Sequence, residues 1–289
     1  MDWPVLSLGS AFFLATADAI TKRYLAGCRP GETTLIRFGS IAVLMSPCLF
    51  MGPWPNLPVE FWELLAIAVP IEILAMWLYM KAIRASPLSH TLPYLAFTPV
   101  FNVLTGYLGL GETVSPVGFT GILLVVCGAW LLNGEKASDG SNGFLAPFKV
   151  IIREEGSRLM LITAALYSVN SVLGKALLGY APPLFLGSFY FLLIASVAGI
   201  VFIRKGDGTW QSMRKHPWAI FFVGIFMTAM ILTHFYAVTR IEVAYMIAVK
   251  RTSLLFGILY GAWLFQEKGL VRHLAAGALM IAGVFLIVG

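Results

Sequence analysis

In 289 residues the chain carries 59% hydrophobic and only 12% charged side chains, about half the charged share of a soluble domain. That composition excludes a soluble globular domain, and apolar runs of about twenty residues exclude the ~10-residue alternating strands of a membrane barrel, leaving a polytopic helical membrane protein. The formal net charge of +6 does not mark a nucleic-acid binder, because the cations stand in short loops between apolar runs, where they set membrane orientation.

Span 1 is expected from near Pro4 to Tyr24. Only Met-Asp-Trp-Pro precedes it, and without a basic leader it reads as a retained span. Span 2 runs near Thr33 to Met51, and a Pro-rich turn, Gly52 to Pro58, separates it from span 3, near Phe61 to Ile83. Span 4 follows near Leu88 to Leu110, interrupted by Pro93 and Pro99, and span 5 near Val114 to Leu132. A polar stretch, Asn133 to Arg158, comes next and holds a short surface segment, Phe144 to Ile152. Spans 6 to 10 are expected near Leu159–Leu178, Leu184–Ile203, Trp218–Val238, Val243–Phe265 and Leu274–Val288. Cys28, Cys48 and Cys127 are scattered without metal spacing and imply no disulfide framework.

The halves repeat. Tyr107-Leu-Gly-Leu-Gly-Glu112 closes span 4 as Ala262-Trp-Leu-Phe-Gln-Glu267 closes span 9. In that register Gly106 matches Gly261, Phe101 matches Phe256, Gly128 matches Gly283, and Ala82-Ile83 matches Ala237-Val238. Spans 1 and 6 each end with a lysine, Lys22 and Lys175. Residues 1–133 form the first repeat, 134–158 a polar linker and 159–289 the second. An odd number of spans per repeat inverts one half relative to the other, and in such folds the substrate site lies near the midplane between halves. The fold class is therefore all-α and polytopic, ten transmembrane helices arranged as two inverted five-helix repeats.

This pattern, with Gly and Gln-Glu at the ends of spans 4 and 9, resembles the drug/metabolite transporter superfamily, specifically its EamA-type members. The resemblance covers nearly the whole chain. It implies a central cavity lined mainly by spans 1, 3, 4, 6, 8 and 9 and the transport of small metabolites, often export of amino acids or related compounds. Val249-Lys250-Arg251 is also similar to the Lys-Arg pair in the penultimate helix of triose-phosphate/phosphate translocators, where the pair binds the substrate's phosphate. Leu95 and Ala96, the repeat-equivalent positions here, supply no second lysine.

Loops after the odd-numbered spans hold nearly all the Lys and Arg, and the opposite side holds Lys175 and Arg240. The positive-inside rule then puts both termini outside the cytoplasm, in the cell (inner) membrane; members of the family commonly have both inside.

Lys250 and Arg251 begin about eight residues into span 9, roughly 12 Å deep, close to the midplane of a ~30 Å core. A central charge costs at least ~2.5–3.5 kcal/mol and so faces a bundle interior or a water-filled path. Arginine's fork suits a carboxylate or phosphate, and lysine offers a compact charge. The bland alternative is that protein carboxylates neutralise both and they only hold helices together. Glu72, in the middle of span 3, is the main counter-charge, which leaves one cation in excess for an anionic substrate or a chloride. Glu72 is equally readable as a coupling carboxylate that carries a proton, with His90 the other coupling candidate. Tyr94, Asn170, His234, Tyr236 and Tyr245 complete the expected substrate-binding set, and Tyr167, Asn170 and Ser171 form a polar cluster in span 6. Asp18 is expected to pair with Lys22 one turn along span 1. Gly257 and Gly261 read as a close helix contact, and Glu112 and Glu267 as surface groups that cap helices or make loop contacts.

No enzyme signature, P-loop or zinc-binding His-Glu-x-x-His appears. The expected function is secondary active transport of a small anionic or zwitterionic metabolite by alternating access: an amino acid, carboxylate or phosphate-bearing compound bound at Lys250 and Arg251. The alternative is a proton-coupled exporter of cationic drugs or metabolites that uses Glu72. No cofactor or metal is expected. The expected partners are the substrate, the bilayer and a proton or counter-substrate, with no nucleic acid and the chain acting as a monomer.

Overall fold

A computed structural model describes residues 2–85, 94–131, 154–203, 214–265 and 270–289. The described chain is helical. Helices α1 (Trp3–Tyr24), α2 (Pro30–Met45) and α3 (Val59–Ala85) are followed by α4 (Thr98–Leu110) and α5 (Pro116–Leu131). The second half holds α6 (Glu155–Leu178), α7 (Pro183–Phe202), α8 (Pro217–Val238), α9 (Val243–Lys250), α10 (Ser253–Phe265) and α11 (Leu270–Val288). These make the ten expected spans. The surface segment expected at Phe144 to Ile152, with most of the linker, lies outside the described residues.

Proline punctuates the starts. It stands in the first turn of α1, α2, α7 and α8, where its missing N–H is one the helix leaves unpaired anyway. At α2 the Glu32 carboxylate also accepts the Arg29 backbone N–H at 2.8 Å. Pro47 tightens the end of span 2 into a 3₁₀ turn, Ser46–Phe50.

Two spans are broken: span 9, which was expected to be continuous, and span 4, where prolines already interrupt the sequence. Span 9 breaks after Lys250: Arg251 and Thr252 form a turn, and α10 starts at Ser253. Span 4 breaks at the matching place, with Tyr94 and Leu95 helical, Ala96 and Phe97 in a turn, and α4 starting at Thr98. In the repeat register Thr98 is the counterpart of Ser253. Irregular backbone at membrane depth is tolerated where protein buries it or where it lines a cavity.

The helices pair with two-fold logic. α1 packs on α8 as α6 packs on α3, and α4 packs on α6 as α9 and α10 pack on α1. Spans that map onto each other meet directly, α2 with α7 and α5 with α11. The α5–α11 crossing sets backbone against backbone: a Cβ at Gly121 would meet the Gly283 carbonyl at 2.7 Å, and one at Gly283 would meet the Gly121 carbonyl at 2.6 Å. Of the pair expected to make a close contact, Gly257 has nothing within 4 Å of such a Cβ, and the surroundings of Gly261 lie outside what is described.

Six of these helices are long and apolar enough to cross a membrane. Val43 is 72% exposed, Leu108 73%, Ile200 83% and Phe285 72%, an apolar exterior suited to lipid. Polar groups turn inward instead. Trp3 at one end of the chain and Ile287 at the other pack on the same cluster around Ile122, Ala244 and Tyr245, so both termini share one face.

Candidate functional site

The centre of the bundle holds a cavity that leaves ≈ 130 Å³ open to the centres of water molecules. Its walls come from α1, α2, α3, α6, α7, α8, α9 and the breaks in spans 4 and 9. Charge is concentrated there.

Lys250 is the last residue of α9 and Arg251 its C-cap. The end of a helix presents carbonyls and a partial negative charge, a favourable place for cations. The Lys250 ammonium reaches the Met230 Sδ at 3.2 Å and His234 Nδ1 at 3.3 Å. Both partners lie one turn apart on α8. Arg251 donates to the Thr98 hydroxyl at 3.1 Å, which ties the break in span 9 to the break in span 4. Its Nε has no partner among the described residues. Among the described residues, no carboxylate lies within ion-pairing distance of Lys250 or Arg251.

Glu72 stands on α3, two residues past Pro70, a proline inside the helix. Asn170 Nδ2 donates to its carboxylate at 2.5 Å and to the Tyr190 hydroxyl at 3.1 Å. The Tyr190 hydroxyl in turn reaches the Ala68 carbonyl at 3.3 Å. Glu72 and Lys250 share the cavity without a direct ion pair.

A second charged group was not singled out in advance. Arg37, on α2, lines the cavity, donates to Asp18 at 2.5 Å and to Thr21 at 3.2 Å, and leaves its Nε unpartnered. Tyr79 donates its hydroxyl to the other Asp18 oxygen at 3.0 Å. Asp18 is thus engaged across the bundle by α2 and α3, a correction to the local pair expected along span 1. A cation within the apolar run Leu35-Ile36-Arg37-Phe38 was the available signal. Nothing comparable marked Tyr79 or Tyr190. In and beside the cavity Arg37, Lys250 and Arg251 face Asp18 and Glu72, and the formal balance stays one positive charge in excess.

Of the expected set, Lys250, Arg251, Glu72, Asn170 and His234 come together, and Tyr167 and Ser171 join them. Tyr94, Tyr236 and Tyr245 do not. Tyr94 is buried against Trp130, ring centroids 5.7 Å apart. Tyr236 is exposed on the outer side of α8. The Tyr245 hydroxyl accepts the Ser115 backbone N–H at 2.8 Å, tying α9 to the start of α5. Each carries an aromatic ring that satisfies an apolar interface, so its hydroxyl does not decide where it points. His90 lies outside the described residues.

Glu112 is not a free surface cap. Its carboxylate accepts Lys175 Nζ and, at 2.8 Å, the backbone N–H of Val243, the first residue of α9.

The EamA-like transporter family model matches residues 2–134 and 155–289. A curated relative from Methanothermobacter thermautotrophicus, described as an uncharacterized transporter, is 24% identical over 231 residues; the match covers 79% of this chain and 64% of that protein. The chain thus spans less than two thirds of that relative's length. A solved crystal structure superposes with a TM-score of 0.75 over 99% of this chain and 98% of its own, at 17% identity, which is a likeness of fold. With the family model covering both halves, the chain belongs to the EamA-like transporter family.

Proposed function

We propose that the protein is a secondary active transporter of a small organic metabolite, moved by alternating access, and that Lys250 and Arg251 bind its anionic group. The carrying observation is the pair of buried cations at the break in span 9. They line the central cavity, Arg251 Nε is unpartnered, and no described carboxylate pairs with either residue. An uncompensated charge in a membrane interior is costly, and an anionic or zwitterionic substrate supplies the missing partner. An amino acid, a carboxylate or a phosphate-bearing compound meets that chemistry. Glu72, held by Asn170, balances the second cation or carries the coupling proton. The chain acts as a monomer in the cell (inner) membrane.

A second reading rests on Glu72. Its carboxylate faces the cavity with an amide, not a cation, in hydrogen-bond contact, so a cationic substrate and a proton could compete for it. Neutralising Lys250 and Arg251 would then spare binding.

A thermal-shift screen of the purified protein against anionic, zwitterionic and cationic metabolites separates the two, since a ligand of the folded state raises apparent stability by mass action. Each hit is repeated with Lys250→Ala and Arg251→Ala. Loss of one partner of a buried charge contact costs about 2–5 kcal/mol, so affinity for an anionic hit is expected to fall roughly 30-fold or more. Stabilisation by cations alone, equal in parent and variants, would move the site to Glu72.

A further inference from the structure

We propose that Glu112 and Lys175 form the gate that closes the central cavity toward the face bearing the chain termini, and that the pair must part for substrate to pass on that side. The assignment rests on the alternating-access reading above and names residues outside the binding site.

Glu112 joins the two halves. Glu112 follows the end of α4, in the first repeat. Lys175 lies in the last turn of α6 and Val243 begins α9, both in the second. One Glu112 oxygen takes the lysine ammonium, and the other takes the Val243 N–H at 2.8 Å. The same ammonium donates to the Ile241 carbonyl at 2.7 Å. The ion pair is largely shielded, its side chains 22% and 12% exposed.

The sequence builds a seat for that carboxylate. Gly111 takes a left-handed φ of 67° at the end of α4, a conformation that suits glycine. It turns the chain so that the Glu112 N–H reaches back to the Gly106 carbonyl at 3.2 Å. A Cβ at Gly106 would come within 3.2 Å of a Glu112 carboxylate oxygen. A side chain there would crowd the gate, and glycine leaves it room.

The pair borders the cavity. Lys175 adjoins Gly174 and lies one turn beyond Ser171, both in the cavity wall. Glu112 caps the end of α9 opposite Lys250, and Ile247, one turn in from Val243, already lines the cavity. A single short helix therefore runs from the gate to the binding cations, over roughly 10 Å at ~1.5 Å per residue. Two halves that rock about a midplane site must separate at their tie on one face while closing on the other. Glu112 supplies a charged tie of this kind on the terminal face, beside the Tyr245–Ser115 contact.

Sidedness of access tests the gate without a substrate. In a background with Cys28, Cys48 and Cys127 changed to serine, Gly174→Cys places a thiol in the wall; a Cβ there meets nothing within 4 Å. A membrane-impermeant thiol reagent is applied separately to each side of sealed vesicles. The parent is expected to react faster from the face opposite the termini. Lys175→Met keeps the Glu112 bond to Val243, and is expected to raise labelling from the terminal face about tenfold, as when a minor state of a few per cent becomes substantial. Glu112→Gln is expected to do the same. A purely structural pair would lower thermal stability and leave the ratio of labelling between faces unchanged. That result with Lys175→Met, or equal labelling from both faces in the parent, overturns the proposal. Ligand binding at Lys250 and Arg251 is read separately by thermal shift, so failure of one assignment does not imply failure of the other.

Discussion

The side chain of Arg37 is 1% exposed and that of Asp18 17%, and the cost of separating two such charges is set by burial. Removing one partner of a buried ion pair costs about 3–5 kcal/mol, because the other charge is stranded, whereas removing both is often nearly neutral. Asp18→Asn and Arg37→Met are therefore each expected to lower the thermal midpoint of the purified protein markedly, and the double variant to lie closer to the parent. Equal and additive losses would show that the two residues do not act as a pair. Legibility at this scale followed charge. Lys250, Arg251 and Glu72 were readable because an ionised group in an apolar run has few tolerable environments. Arg37 carries the same signal in a run read only as a helix. The tyrosines were not separable: Tyr79, Tyr167 and Tyr190 enter the polar interior while Tyr94 and Tyr245 serve helix contacts, and their apolar rings suit either place.

Helix contacts follow the absence of side chains as closely as their presence. At the α5–α11 crossing a methyl group on Gly121 or Gly283 would press on backbone oxygen at 2.7 or 2.6 Å, and backbone yields only by moving the helix. Gly121→Ala and Gly283→Ala are each expected to cost about 1–3 kcal/mol, read as a lower thermal midpoint, while Gly257→Ala leaves it unchanged or raises it. A fall for Gly257→Ala equal to the others would return the close contact to the G-x-x-x-G of span 9. The spacing of two glycines by four residues was visible in sequence, but which glycine faces another backbone depends on helix rotation, and an all-apolar helix gives no polar face from which to infer it. The spans themselves were legible from hydropathy and proline. Their breaks were only half legible: Pro93 and Pro99 announced an interruption in span 4, whereas span 9 breaks at Arg251-Thr252 with no proline. There the repeat register was the available guide, since Thr98 and Ser253 begin matching half-helices.

For the whole molecule, the packing reduces orientation to one binary choice. Trp3 and Ile287 rest on one cluster, so both termini lie on the same face as the gate, and most loop cations among the described residues lie on the other. The positive-inside rule weighs Lys and Arg in short loops near span ends. By that weighting the terminal face, with Lys175 and Arg240 as its cations, is expected outside the cytoplasm, which would make the gate of Glu112 and Lys175 the outer one. Reporters that are active in only one compartment, fused separately to each terminus, are expected to place both outside. Both inside would reverse the face on which the gate acts while leaving its chemistry intact, because the tie between repeats depends on the fold and not on the direction of insertion. One inside and one outside would contradict the shared cluster, and with it the even number of crossings that the two five-span repeats require.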